Sequence, residues 1–266
     1  MTVRCFLSLL PVCLCTSVSA QESLPADSIV VEDTQFRPQQ LILPAALITV
    51  GAFGVENGWL CSLKEDMRED FQDLRGDCRF RADDKLQYLP VIANVGLGLT
   101  GVRSHHPLRE RIAATATAYA TMGVLVNATK YAVKEKRPDS EKRNSFPSGH
   151  TATAFMGAEL VREEYGNGWG AGAYAFATGI AFLRLYNDRH WLNDVIAGAG
   201  MGILSARIGY WLLPWERRLL GWKKRATRNE VQGTRNAQSH DAPVMVLVPT
   251  YNPELQAPML CFAASF

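Results

Sequence analysis

The sequence predicts an all-α protein, with six helices over residues 40–213. Three observations predict it. Apolar stretches at 40–55, 88–102, 112–133, 151–161, 169–183 and 195–213 are rich in Ala, Gly, Leu, Ile and Val. They show little period-2 alternation, and their length and composition favour helices over strands. Breakers separate them: Pro107 ends the second before the third begins, and Gly166-Asn-Gly168 divides the fourth from the fifth.

Composition bounds the rest. With 47% hydrophobic and 20% charged residues among 266, disorder is excluded for the bulk of the chain. A net charge of +2 gives no ground for a nucleic-acid partner. Mean hydropathy is only −0.06, but charges crowd into 61–85 and 214–230 and leave long stretches almost uncharged.

Residues 1–20 read as an export signal: Arg4, an apolar core at 5–15, and the small-x-small run Ser17-Val-Ser-Ala20. Residues 21–39 are polar and irregular. Segment 40–58 ends in Glu56-Asn57 and reads as an interfacial or re-entrant helix. Segment 61–86 carries six basic and eight acidic residues and reads as a polar loop. Cys61 and Cys78 flank that loop; a disulfide or two free thiols both fit. No Cys or His spacing points to zinc, and no metal or cofactor is expected.

A bilayer span takes about 20 apolar residues. Only 195–213 approaches that, with Arg207 inside it. Small residues (Gly198-Ala-Gly200-Met-Gly202) and end-of-helix aromatics (Trp169, Trp191, Trp211, Trp215) nonetheless favour a membrane bundle over a soluble one. Arg103, Arg109 and Arg111, with the basic stretch 214–230, mark the cytoplasmic side. Crossings are then expected at 88–102, 112–133, 151–164, 169–184 and 194–213. If 40–58 also spans, the parity flips. Residues 214–242 form a basic polar linker, and 243–266 read as a hairpin-like tail.

Three segments concentrate the chemistry. In the first, Lys130 and Arg137 stand seven apart, about two helical turns, before Pro138. A point-charge ammonium and a planar guanidinium on one face suit a phosphate; taken alone, the segment also fits a solvated basic helix end. The second is Ser145-Phe-Pro-Ser148-Gly149-His150. Ser148 is a good N-cap, and the helix start with Gly149 offers backbone N–H groups to an anion beside His150; an ordinary cap with an incidental His fits too. The third runs from Arg184 to His190 and Asp194. On a helix, His190 and Asp194 share a face. A carboxylate there fixes the imidazole tautomer and frees the other nitrogen as a nucleophile, unless the pair is only a structural hydrogen bond. Asp188 and Arg189 read as a solvated pair. His150 and His190 are two of only five histidines, and both fall inside cation-bearing segments.

Lys-x6-Arg-Pro, Pro-Ser-Gly-His and Arg-x5-His-x3-Asp, in that order, resemble the type 2 phosphatidic acid phosphatase superfamily. It contains lipid phosphatases, bacterial acid phosphatases and vanadium haloperoxidases. The motifs span 130–194. One departure is Leu183, where the family has Ser, which removes one phosphate hydrogen bond. The wording FLRLYNDRHWLNDVIAGAGMG further resembles exported phosphatases of Bacteroidetes-type bacteria, some acting on lipid A.

The resemblance implies a six-helix, membrane-embedded bundle and a role for each residue. Lys130, Arg137 and Arg184 clamp phosphate oxygens, assisted by Ser148 and the Gly149 N–H. His190 attacks phosphorus, Asp194 orients it, and His150 protonates the leaving group and then activates water. The substrate is a lipid phosphate monoester or pyrophosphate, with lipid A first and undecaprenyl pyrophosphate second. The partners are that lipid and a bilayer, the inner membrane of a bacterium with the site facing the periplasm. A soluble periplasmic acid phosphatase with the same site is the alternative. A haloperoxidase and a non-catalytic headgroup binder are weaker readings.

Overall fold

The computed structural model describes residues 36–76, 80–222, 244–252 and 257–265. The signal segment 1–20, Cys78 and the linker residues beyond Trp222 lie outside the described residues. Cys61 is a free thiol.

A 3-10 turn, Pro38–Leu41, leads into α1 (Ile42–Glu56). Then follow α2 (Gly58–Arg75), α3 (Asp83–Leu86), α4 (Leu89–Leu99), α5 (Leu108–Val133), α6 (Gly149–Tyr186) and α7 (Leu192–Leu219). Strands β1 (Val244–Asn252) and β2 (Ala257–Ser265) pair antiparallel, Val244 opposite Ser265. The helical part is an all-α bundle.

Two boundaries differ from the sequence reading. The fourth and fifth predicted helices run on as α6, but Gly166 breaks the backbone with φ 82 and ψ −178. That left-handed-side conformation favours glycine. Segment 61–86, read as a loop, is mostly α2. Its charges hid it, because a polar helix carries no apolar run to find.

Helix α7 is the axis, packing on α1, α5 and α6. Its glycines let backbones meet. A Cβ on Gly202 would lie 2.2 Å from the Ala152 carbonyl of α6, and one on Gly198 would lie 2.5 Å from the Ser148 carbonyl. Gly209 makes the same approach to Ala114 of α5. Around these crossings the core is Ala114, Ala118, Met122, Met156, Leu160 and Leu213. Backbone blocks the added side chain, so Gly202→Leu should destabilise the fold by about 1–3 kcal/mol. Thermal unfolding in detergent checks this; an unchanged midpoint would contradict the packing.

Helix α1 lies antiparallel to α7 along its whole length. Gly54 meets Asn193, Gly51 meets Ala197, and Pro44 meets Gly200. At the far end Trp211 Nε1 donates to Gln40 Oε1 (3.0 Å), and Phe36 stacks edge-on against Trp211. Pro38–Glu56 and Leu192–Leu219 are each long and apolar enough to cross a membrane. They lie side by side over this length as two candidate spans, a setting in which 40–58 would cross instead of lying at the interface or re-entering. Large apolar side chains stay exposed on the outer faces, among them Ile42, Phe53, Ile92, Val124, Phe182 and Trp215.

The two ends of the bundle are chemically distinct. At one end, Glu164 accepts from the His106 backbone N–H (2.9 Å) and from Tyr210 Oη (2.6 Å), and Arg217 pairs with Glu110 (2.6 Å). The other end gathers the starts of α3, α6 and α7 with the ends of α5 and α6.

Candidate active site

The start of α6 sets the floor of the site. Ser148 is the N-cap: its Oγ accepts from Thr151 N–H (3.5 Å) and from Thr151 Oγ1 (3.0 Å). Ser148 N–H donates to the Asp194 carbonyl (2.9 Å), which ties the start of α6 to the start of α7. Gly149 opens α6, and His150 stands in its first turn.

Lys130 projects from the last turn of α5. Its ammonium donates to the carbonyls of Asn144 (2.7 Å), Ser145 (3.2 Å) and Pro147 (2.7 Å). An ammonium has three donors, so Lys130 shapes the loop that carries the second motif. Arg137 does not continue the α5 face as its spacing predicts. The helix ends at Val133, and Lys134 turns left-handed with φ 52. Arg137 returns through a loop instead, and its Nε donates to Asn144 Oδ1 (2.8 Å). Asn144, which the sequence reading missed, therefore touches both cations.

His190 and Asp194 are also arranged differently from the predicted shared helix face. α7 begins at Leu192, so His190 precedes the helix and Asp194 is in its first turn. Asp194 Oδ2 accepts from Trp191 N–H (2.9 Å), as an N-terminal carboxylate does, and meets His190 Nδ1 at 3.2 Å. Ser145 Oγ donates to the same oxygen. With Asp194 ionised, Nδ1 carries the ring proton and Nε2 keeps its lone pair.

Arg184, at the end of α6, faces α3. Its Nη1 lies 2.5 Å from Asp83 Oδ2 and 3.4 Å from Asp84 Oδ1. Asp84 Oδ1 also meets His150 Nε2 at 3.0 Å. Neither aspartate was singled out from sequence, since both sit in the charged 61–86 segment without a spacing signal.

Three distant segments therefore meet. The charges of Arg184, Arg137, Lys130 and His150 all bear on His190. Burial first, and those cations second, hold the His190 imidazole well below its ordinary pKa, so it is neutral at physiological pH. His150 is shifted down as well, by burial and then Arg184, against opposing pulls from Asp84 and Asp83. Burial and the neighbouring Asp194 carboxylate push Glu135 up.

Helix α2 braces the loop that carries His190. Asp188 is not a solvated partner of Arg189: it accepts from Arg68 Nε (2.8 Å) and Gln72 Nε2 (3.0 Å). Arg189 pairs instead with Asp139 (2.8 Å). Lys64 lies 5.1 Å from the Trp191 ring centroid and pairs with Glu135 (3.0 Å). Among the described residues, no cluster of three or more His, Cys, Asp or Glu is placed to hold a metal ion.

The family model of the PAP2 superfamily matches residues 111–218. The match runs from α5 to the end of α7 and contains every site residue predicted from sequence. The chain is 36% identical over 141 residues to a lipid A 1-phosphatase of Porphyromonas gingivalis, covering 52% of this chain and 32% of that one. It is 39% identical over 77 residues to the bacitracin transport permease protein BcrC of Bacillus licheniformis, 29% of this chain and 37% of that one. The chain thus spans about a third of the length of these curated relatives. Among solved structures, Aquifex aeolicus LpxE aligns with TM-score 0.41 at 25% identity, covering 53% of this chain and 92% of that one. The transmembrane PAP2 type phosphatidylglycerolphosphate phosphatase of Bacillus subtilis aligns with TM-score 0.49 at 19% identity, covering 69% and 99%.

Proposed function

We propose that this protein is a membrane-bound phosphatase that hydrolyses a lipid phosphate through a phosphohistidine intermediate. One observation carries the reading: a buried, neutral His190, oriented by Asp194, sits under the combined field of Lys130, Arg137 and Arg184. Neutral imidazole is the nucleophilic form, and fixed cations stabilise the charge that develops on the phosphoryl oxygens.

In this mechanism Arg184 and Arg137 hold the non-bridging oxygens, with Ser148 and the Gly149 N–H beside them, and Lys130, whose three donors go to loop carbonyls, adds its charge. His190 Nε2 attacks phosphorus in line with the leaving oxygen. His150 gives that oxygen a proton as the P–O bond breaks. His150, now neutral, takes a proton from water, which attacks the phosphohistidine and releases inorganic phosphate. The side-chain cations supply the charge neutralisation that a metal ion provides in other phosphatases.

The apolar outer faces of α1, α4 and α5 support a bilayer setting and disfavour a soluble acid phosphatase. Arg103, Arg109, Arg217 and Arg218 belong to the end opposite His190, which under the positive-inside rule supports a site on the outer, periplasmic face of an inner membrane. Phe36 lies at the basic end, against Trp211. With α1 crossing, the chain before it then starts on the cytoplasmic side, and a signal cleaved before it does not go together with a periplasmic site.

Likeness to the P. gingivalis lipid A 1-phosphatase supports lipid A as the first candidate substrate, with undecaprenyl pyrophosphate second. A phosphate-release panel tests this, with purified protein, lipid A, undecaprenyl pyrophosphate, phosphatidic acid and a soluble ester. Release is expected from a lipid phosphate in preference to the soluble ester. Faster release from the soluble ester would favour a non-specific acid phosphatase; release from none would overturn the reading.

A further inference from the structure

We propose that Asp84 is the positioning residue of His150, a second carboxylate–imidazole pair that complements Asp194–His190. The proposal rests on the reading of His150 as the proton donor.

The geometry explains why Asp84 is delivered to this place. Asp83 anchors α3: its side chain is only 2% exposed and pairs with Arg184 at 2.5 Å. Asn187, after the end of α6, clasps the preceding turn by donating to the Phe80 carbonyl (2.7 Å) and accepting from Phe80 N–H (3.1 Å). Successive helical residues diverge by about 100°. With Asp83 holding Arg184 at 2.5 Å, Asp84 Oδ1 lies farther from that guanidinium, at 3.4 Å, and makes its shorter contact with His150 Nε2 at 3.0 Å. Asp84 is 55% exposed, so its carboxylate is free to follow the ring.

The chemistry needs such a partner. A proton donor must be cationic before transfer, yet burial and Arg184 both disfavour a charged His150. The groups facing His150 are Asp84 and Asp83 from α3, Arg184 from the end of α6 and His190 from the loop before α7. Asp84 accepts from Nε2–H, fixes the ring and favours the imidazolium. Nδ1 then holds the transferable proton. As the P–O bond breaks, the electron pair stays on the leaving oxygen, the Nδ1 proton joins it, and His150 is left neutral with Nε2–H still bonded to Asp84.

Asp84→Asn in the full chain tests this with two esters, phosphatidic acid and 4-nitrophenyl phosphate. An alkoxide leaving group needs the proton, whereas 4-nitrophenolate leaves without it. Breakdown of the phosphohistidine is common to both esters, so the comparison is made in kcat/KM, which reports only the steps up to loss of the leaving group: the variant should lower it about tenfold on phosphatidic acid and leave it within about twofold on 4-nitrophenyl phosphate. Loss of the negative charge disfavours the imidazolium, so the basic limb of kcat/KM should move to lower pH by about one unit. The second phosphate ionisation, near pH 6, is common to both enzymes and cancels in that comparison. Asp84→Glu should recover part of the loss. Equal losses on both esters would indicate a merely structural role and overturn the proposal. A rise in kcat/KM would overturn it too, because Asp84 would then be blocking the cation cup. His150→Ala separates the two readings: full activity removes the role of His150 and the proposal with it. An inactive His150→Ala beside a wild-type-like Asp84→Asn removes the proposal alone.

Discussion

Replacing His190 with alanine should lower kcat by about 10⁴-fold or more while leaving the cation cup intact. Without the imidazole no covalent intermediate forms, and water must attack phosphorus directly. The remaining rate comes from Lys130, Arg137 and Arg184, since fixed charges alone retain a measurable part of an enzyme's acceleration. Inorganic phosphate or vanadate should therefore still bind. His190 is buried beside Asp194 and Ser145, so truncation leaves a gap and removes one of the donors to the Asp194 carboxylate. His190→Gln, closer in volume, guards against a folding artefact. Both variants should be inactive with wild-type helical content, measured by phosphate release and circular dichroism. Full activity in the folded glutamine variant would reject His190 as nucleophile.

The second large effect is expected at Asp194. Asp194→Asn should lower kcat about 10³-fold with little change in KM. Its Oδ2 receives Trp191 N–H and His190 Nδ1 together, while Asn193 Nδ2 lies 3.4 Å from Oδ1. An asparagine that keeps its carbonyl toward Trp191 turns its NH₂ on the Asn193 amide, donor against donor. The flipped amide relieves that contact but sets its N–H against Trp191 N–H, a second donor, and presents it to His190 Nδ1. The ring proton then moves to Nε2, and the lone pair no longer faces phosphorus. In a His190→Ala background the same substitution should cost almost nothing more, because the two residues act as one unit. Additive losses in the double variant would mean that Asp194 acts elsewhere.

How much of this was legible in the sequence follows from where the charges lie. Lys130, Arg137, His150, Arg184, His190 and Asp194 stood out because each interrupts or borders a long apolar run. Gly166 was readable as a break, since no other residue type tolerates its backbone so readily. The local geometry was less legible. A spacing of seven predicts one helical face, but Lys134 ends α5 and a loop returns Arg137 to Asn144. A spacing of four predicts the same for His190 and Asp194, yet the helix begins between them. In both cases residues reach the predicted neighbourhood by a different route, because spacing does not report where a helix stops. Helix α2 and the Asp83–Asp84 pair were invisible for another reason. In a segment of eight acids and six bases, no single carboxylate is distinguishable until Arg184 and His150 are seen to claim two of them.

In the proposed mechanism Lys130, His150, Arg184 and His190 close around one phosphorus atom, and His190 bonds to it. Rapid quenching in alkali with ³²P-labelled lipid phosphate tests it most directly, because phosphohistidine survives base and breaks in acid. Acid-labile label is expected on the peptide that contains His190 and is expected to be absent in His190→Ala. Label on another residue, or wild-type turnover by an enzyme with no phosphohistidine at any quench time, would contradict it.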